Sequence, residues 1–535
     1  MTSDLTAHCN ASRAQHYANE SSHDKLESCN HATIVDGFLI TMHRILPTTH
    51  ALPYALYQTQ QVRALDRCAI EQFGIAQQTL MERAGAALFK CVRDRWPRVE
   101  RVAILAGTGN NGGDGYVLAR LLHLAGLKPR LFSLGDHSAL RGAAAQAAAD
   151  YVASGGMVEP LLALPNDAEL IVDALFGTGL TRPPQGQWAQ AIAAANAHQA
   201  PVLAVDVPSG LNADSGRILG TAIVAELTLT FIGLKPGLFT AQGPDCCGAV
   251  MFDSLDVPAR VYATQVPAAS RIDWAREKNQ IPPRRRSTHK GDCGHVLAIG
   301  GAPGMSGALR LCGEAALRTG AGRVTLFTHS QHAAWLNLSC PELMVQTTEL
   351  KQSLQRVNVV AIGPGLGQDD WGQMSWQQVQ DWQGPLVVDA DALNWLARQP
   401  LNRDHWILTP HPGEAARLLG CSVADIEQDR FAAVCALQSQ YGGVVVLKGA
   451  GTLIHAGPRR PVALCSAGNP GMASAGMGDA LTGIISALLA QGLSCEQAAR
   501  AGVCLHAAAA DSAAQTGERG LLASDVIDAL RQQWI

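Results

Sequence analysis

The groups in this sequence that could do chemistry are aspartates that follow short apolar runs and sit among glycines and small polar residues. Asp479 closes the glycine-rich stretch 466–479, just ahead of an apolar run over 480–489. The glycines leave backbone N–H groups bare, and the run reads as a helix whose N-terminus points back at the loop, an arrangement suited to a phosphate. Asp479 stands where a carboxylate could take a proton from a hydroxyl. The alternative is a glycine-rich turn with Asp479 as an ordinary helix N-cap.

The first half carries a related pattern. Gly107, Gly109 and Gly112 satisfy G-x-G-x-x-G, and Asp136 follows roughly twenty residues later, the spacing of a dinucleotide fold. Asn110, Asn111, Gly113 and Asp114 make this loop more polar than a pyrophosphate turn needs, which points to a ligand or cation met by side-chain oxygens. Asp173 opens Asp-Ala-Leu-Phe-Gly-Thr-Gly-Leu, and Asp206 opens Asp-Val-Pro-Ser-Gly-Leu with Ser209 inside it. Each follows a β-branched run. In an open parallel sheet the carboxyl ends of the strands share one edge, so Asn110, Asn111, Asp173, Asp206 and Ser209 are expected to converge on one crevice.

To be positioned in this way the residues require an α/β alternation, and the sequence supplies it twice. Helical spacing predicts two amphipathic helices within 58–96; strands are expected at 101–105, 130–134, 170–172 and 202–205, with helices at 116–125, 139–154 and 188–197. Periodicity fades after Pro258, and a Pro- and Arg-rich stretch reads as a linker over 261–283. A second series follows, with strands at 296–299, 324–328, 359–362, 386–388, 406–408 and 444–447, each before a loop rich in glycine, proline or aspartate. The expected organisation is an extension over 1–51, one domain over 52–260, and another over 284–535.

Composition narrows the function classes. The chain has 535 residues, 47% hydrophobic and 16% charged, enough to fill two cores, and a formal charge of −4 offers no field for nucleic acid. Fourteen cysteines include no Cys-x-x-Cys pair, which reads as scattered thiols of a reducing cytoplasm. No apolar run is long enough to span a membrane, and residues 1–50 lack the pattern of a signal peptide.

The motifs resemble a known family. Residues 106–115, 173–179 and 205–211 resemble the NAD(P)H-hydrate epimerase domain; residues 290–296, 363–367, 409–414, 448–452 and 476–479 resemble the ribokinase-like ADP-dependent NAD(P)H-hydrate dehydratase domain. The resemblance implies a Rossmann-like three-layer αβα domain followed by a ribokinase-like αβα domain, together repairing NADH and NADPH hydrates. It implies a potassium ion on Asn111, Asp173 and Ser209, and the hydrate along Asn110, Asn111, Gly112, Gly113 and Asp114 and along Gly177, Thr178, Gly179, Leu180, Thr181, Arg182 and Pro183, with Asp206 as the proton-transfer residue. In the second domain it implies a nucleotide on Lys448, Gly449, Ala450, Gly451, Thr452 and Gly478, the hydrate near Ala308, Gly367 and His411, Asp479 as base, and ADP with magnesium as cosubstrate and cofactor. A homo-oligomer is also implied. Two rivals explain the same residues: a ribokinase-type kinase for a small molecule, which leaves the first domain without a role, and a dinucleotide-binding sensor without turnover.

Overall fold

The computed structural model describes residues 33–35, 38–40 and 52–535; the extension expected over 1–51 lies outside them, apart from six residues paired as an antiparallel ladder with Thr33 opposite Ile40. The chain forms two compact units, Met1–Ala268 and Ala269–Ile535.

Helix α1 (Thr59–Glu71) and helix α2 (Gln77–Arg95) open the first unit, burying Val62, Leu65 and Ala69 and then Leu80, Ala84, Leu88 and Val92 on one face each. The sheet follows: β1 Arg101–Ala106, β2 Lys128–Ser133, β3 Val158–Pro160, β4 Leu170–Ala174, β5 Val202–Val205, β6 Leu227–Phe231 and β7 Ala249–Asp253. All neighbours are parallel, in the order β7-β6-β5-β4-β1-β2-β3. Strand residues alternate between two layers. Val102, Ile104 and Ala106 pack with α1, α2 and helix α3 (Asn110–Leu124), whereas Ala103 and Leu105 pack with Ala191, Ile192 and Ala195 of the helix Gln187–Ala197. The order reverses between β1 and β4, and a crevice opens at such a switch point.

Three local expectations are corrected here. Helix α3 begins at Asn110, not near Tyr116, so Asn111, Gly112, Gly113 and Asp114 are helical rather than loop. The glycines of this stretch serve close packing: a Cβ at Gly112 would lie 1.9 Å from the Gly107 carbonyl oxygen, and one at Gly113 2.6 Å from Met81. Asp173 lies inside β4, which runs two residues further than expected. Asp136 stands three residues past the end of β2 and caps a short 3-10 turn by accepting from the Ser138 N–H at 2.9 Å.

In the second unit, residues expected as linker supply strand β8 (Ala269–Ile272), which pairs parallel with the last strand of the sheet and buries Ala269 and Ile272. The others are β9 His295–Ile299, β10 Arg323–Phe327, β11 Met344–Gln346, β12 Val359–Ile362, β13 Leu386–Val388, β14 Trp406–Leu408, β15 Val444–Leu447, β16 Thr452–His455 and β17 Val462–Cys465. Their order is β11-β10-β9-β12-β13-β14-β15-β16-β17-β8, parallel except where β16 runs against both β15 and β17. Helices α4 (Ser306–Thr319), α5 (Met477–Ala490) and α6 (Cys495–Ala513) cover one face, packing on Val296, Ala298, Val324 and Leu326.

The crossing of α4 with α5 depends on one small residue. A Cβ at Gly483 would stand 2.0 Å from the Cys312 carbonyl oxygen, a backbone atom that cannot turn aside. Gly483→Val is therefore expected to lower stability by about 2–3 kcal/mol, the range of an overpacked core, with a lower midpoint in urea unfolding.

Candidate active sites

In the first unit the ends of β1, β4, β5 and β6 deliver their polar residues around a cavity of about 450 Å³. Asn110, Asn111, Asp114, Gly177, Thr178, Gly179, Leu180 and Asp206 line it, whereas Gly112, Gly113, Thr181, Arg182 and Pro183 do not. Asp173 and Ser209 are fully buried beside each other: the Ser209 N–H donates to Oδ2 at 2.7 Å, its hydroxyl donates to Oδ1 at 2.6 Å, and the Leu175 N–H reaches Oδ1 at 3.2 Å. Burial pushes the Asp173 carboxyl up to about 6 despite those donors.

Asp206 has a left-handed backbone, φ 67°, unusual for a residue with a side chain. That conformation follows the buried strand β5 and is held through Oδ1, which accepts from the Thr230 hydroxyl at 3.1 Å, from the Phe231 N–H at 3.2 Å and from the Lys235 ammonium. Oδ2 is left facing Gly177, whose missing Cβ would sit 3.4 Å from it and 3.1 Å from the Asn111 side-chain oxygen. Lys235 is buried and also donates to Thr230 and to the Phe231 carbonyl oxygen, both at 2.9 Å.

Sequence reasoning missed Lys235 and Asp66. Lys235 follows β6 in Phe-Ile-Gly-Leu-Lys-Pro-Gly, one more strand end with glycines, and that signal was available. Asp66 lies on α1 and lines the cavity, with nothing local to mark it. Burial raises the Asp66 carboxyl to about 6, and burial followed by the negative charges of Asp206 and Asp66 lifts Asp114 well above the carboxylate range.

The second site is built around Lys448, which follows β15. Its ammonium donates to Asp389 Oδ1 at 2.7 Å and lies 3.7 Å from Glu414, while Asp389 Oδ2 accepts from the Thr482 hydroxyl of α5 at 2.7 Å. Burial opposes the charge on Lys448, but Asp389 and Glu414 outweigh it and the ammonium is held more firmly than usual. Gly478 presents its bare Cα to this pair, an added Cβ falling 3.3 Å from the Lys448 nitrogen.

Asp479 is the third residue of α5, behind Gly476 at φ 92° as the N-cap, and the helix has no side-chain cap. The N-cap alternative is thereby overturned. Burial, then the charge of Asp389, raises the Asp479 carboxyl to about 7, where a carboxylate can both accept and hold a proton near neutrality. Glu414 is raised to about 7 by burial.

His411 caps the helix Pro412–Leu419, its Nδ1 accepting from the Gly413 N–H at 3.0 Å, while Glu414 accepts from the His411 N–H at 2.7 Å. Burial and the Lys448 charge hold its imidazole below its ordinary range. Gly367 donates its N–H to Asp391 at 2.9 Å, and the half-buried Ala308 lies on α4, its Cβ 3.3 Å from the position a Cβ at Gly365 would take. Gly449, at φ 138°, rests on the buried Arg430 guanidinium, which reaches the Lys448 carbonyl oxygen at 3.2 Å; Thr452 closes the turn with a 3.1 Å bond to Gly449. Arg430 was not legible as part of a site, being one charge in an amphipathic helix, Arg430–Tyr441.

Comparisons with known proteins bear on both units. The model of the YjeF-related protein N-terminus matches residues 77–237, and that of NAD(P)H-hydrate dehydratase matches 296–532. The chain is 47% identical over 485 residues to a bifunctional NAD(P)H-hydrate repair enzyme of Coxiella burnetii, covering 89% of this chain and 98% of that one. It is 45% identical to the enzyme of that name from Escherichia coli, covering 92% and 96%. Among solved structures, an ADP/ATP-dependent NAD(P)H-hydrate dehydratase of Bacillus subtilis, co-crystallised with ATP and magnesium, aligns with 49% of this chain and 98% of its own at 30% identity and a TM-score of 0.44. Identity at that level, continuous through both units, means that the chain belongs to the family of bifunctional NAD(P)H-hydrate repair enzymes.

Proposed function

We propose that the first unit interconverts the R and S epimers of hydrated NADH and NADPH, and that the second dehydrates the S epimer with ADP as phosphoryl donor, yielding AMP and phosphate. The observation that carries this reading is Asp479, a carboxyl raised to about 7 on the first turn of a helix beside a glycine loop and an ammonium. Hydroxide is a poor leaving group and phosphate a good one. Asp479 takes the proton of the hydrate's hydroxyl, whose oxygen then attacks the terminal phosphorus of ADP as the bond to AMP breaks. Departure of phosphate, with loss of a ring proton from the neighbouring carbon, restores the dihydropyridine.

Lys448, the N–H groups of residues 449–452 and Gly478 hold the phosphates in this reading, and Gly367, Ala308 and His411 lie along the hydrate. Asp389 is already taken by Lys448 and Thr482, and among the described residues no three acidic, histidine or cysteine side chains are grouped to hold a metal, so a cation here would be carried by the nucleotide phosphates. Magnesium, when bound, screens the charge of the nucleotide phosphates.

In the first unit Asp206 Oδ2 is the proton-transfer oxygen, and Asn111, Asp173 and Ser209 would hold potassium. These residues fit the ion. Among the described residues Asp173 is buried with Ser209 and Leu175 as its hydrogen-bond partners and no basic side chain, a carboxyl short of positive charge. Potassium, when bound, supplies the charge that a buried carboxylate calls for. Among the described residues no helix is long and apolar enough to cross a membrane. We further infer a cytoplasmic protein, from fourteen cysteines without a Cys-x-x-Cys pair, and a homo-oligomer, on the family resemblance alone.

Three outcomes test these assignments. A mixture of R and S NADH hydrate, given potassium, magnesium and ADP, is expected to convert completely to NADH by absorbance. Conversion halting at the S fraction would remove the epimerase reading, and none with ADP or ATP would favour a kinase. Asp479→Asn is expected to lower kcat for dehydration by about 10²–10⁴-fold while epimerisation continues, and wild-type kcat/KM for dehydration to climb with pH through about 7, because the base works only once deprotonated.

The third outcome is thermal. A folded carboxyl raised to about 6 contributes stability at low pH that is lost as pH rises through that value, so potassium should raise Tm over choline more at pH 8 than at pH 5. At a hundredfold excess over Kd the gain is about 2.7 kcal/mol, and Asp173→Asn should abolish it.

A further inference from the structure

The epimerase cavity contains more carboxylates than its charge allows. Asp66 from α1, Asp114 from α3 and Asp206 after β5 all line it, with Lys235 as the ammonium among them and Arg63 at the wall. Lys235 has chosen its partner. Its ammonium bonds to Asp206 Oδ1 and spends its other donors on Thr230 and the Phe231 carbonyl, so neither Asp66 nor Asp114 receives a hydrogen bond from it. Asp206 is thereby held through Oδ1 with Oδ2 facing Gly177, while Asp66 faces the same space with no cation bonded to it among the described residues.

We propose that Asp66 is the second proton-transfer group of this site, an acid working with Asp206 as the base, and that Lys235 is a positioning residue that holds Asp206 through Oδ1. This rests on the epimerase reading of the first unit. Inverting a carbon that bears a hydroxyl and a ring nitrogen requires one bond at that carbon to break, and breaking it without building charge takes a base and an acid at once. A dihydropyridine double bond takes up water with the hydroxyl on the carbon next to nitrogen. Asp206 Oδ2 accepts the hydroxyl proton, the C–O bond becomes C=O as the C–N bond breaks, and the ring nitrogen takes the proton of Asp66. After rotation of the freed aldehyde, nitrogen attacks its other face, returns its proton to Asp66, and the new alkoxide recovers the proton held by Asp206. No oxidant or further reactant enters.

Two carboxyls in unlike surroundings are what the site provides, one tied to an ammonium and the other not. Burial raises Asp66 to about 6, with Lys235 pulling it down and Asp206 pushing it up. The acid works while protonated, so the epimerisation rate falls as pH rises past that value.

The test uses the full-length protein with pure S hydrate, following appearance of the R epimer by chromatography between pH 5 and 9, nucleotide omitted. Asp66→Asn is expected to lose about 10²-fold or more in kcat and to lose the alkaline limb, and Asp66→Glu, which restores a carboxyl, to recover both in part. Lys235→Met should lower kcat more than it changes KM, since Asp206 then lacks the ammonium that positions it. The rise in Tm with potassium checks that each variant still folds. If Asp66→Asn stays within threefold of wild type, or Asp66→Asn and Asp66→Glu lose equally with the alkaline limb intact, the assignment is wrong. Failure of wild type to form any R epimer would instead remove the epimerase reading beneath it.

Discussion

Burying a carboxylate is costly, and both units do it at the carboxyl edge of a parallel sheet, where water is thin and strand ends converge. Each unit answers the cost differently. Asp389 has a lysine and a threonine, and Asp206 has a lysine, a threonine and a backbone N–H. Asp173 has only a serine and backbone donors, so it stays short of charge. Burial raises Asp66 to about 6 and Glu414 and Asp479 to about 7, and it lifts Asp114 well above its ordinary value. Placement of the two lysines thus sets which buried carboxylates are paired.

Much of this was legible. Short β-branched runs ending in glycine and aspartate located β1, β4 and β5, and likewise β12 to β15, because a strand buried on both faces has a distinctive composition and its carboxyl end must turn. The crevice residues Asn111, Asp206, Lys448 and Asp479 were marked by the same punctuation. Strands β6 and β7 were not anticipated, since Leu-Thr-Leu-Thr-Phe and Ala-Val-Met-Phe-Asp lie among loops with no helical period between them to announce a crossover. Strand β8 was hidden by the prolines and arginines around it.

The glycines divide into two kinds that look alike in sequence. Gly478 and Gly177 leave room beside the polar groups Lys448, Asp206 and Asn111, and Gly112, Gly113 and Gly483 leave room for other backbone or side chains. A run such as Gly-Asn-Asn-Gly-Gly-Asp-Gly mixes both, and so it read as a loop when most of it is the first turns of a packed helix. Asp66 and Arg430 failed to register for a related reason: each is one polar residue on an amphipathic helix, and only tertiary packing turns it toward a cavity or under a turn.

The left-handed backbone at Asp206 sets local strain against a buried ion pair at a single position. A residue with a side chain held at φ 67° stores strain of roughly 1–3 kcal/mol, which glycine would not feel. Glycine there would relieve that strain but leave the buried Lys235 ammonium without its carboxylate, a loss of about 3–5 kcal/mol for a buried ion pair broken on one side. The strained backbone and the ammonium beside it are therefore tied together, and neither can change without the other.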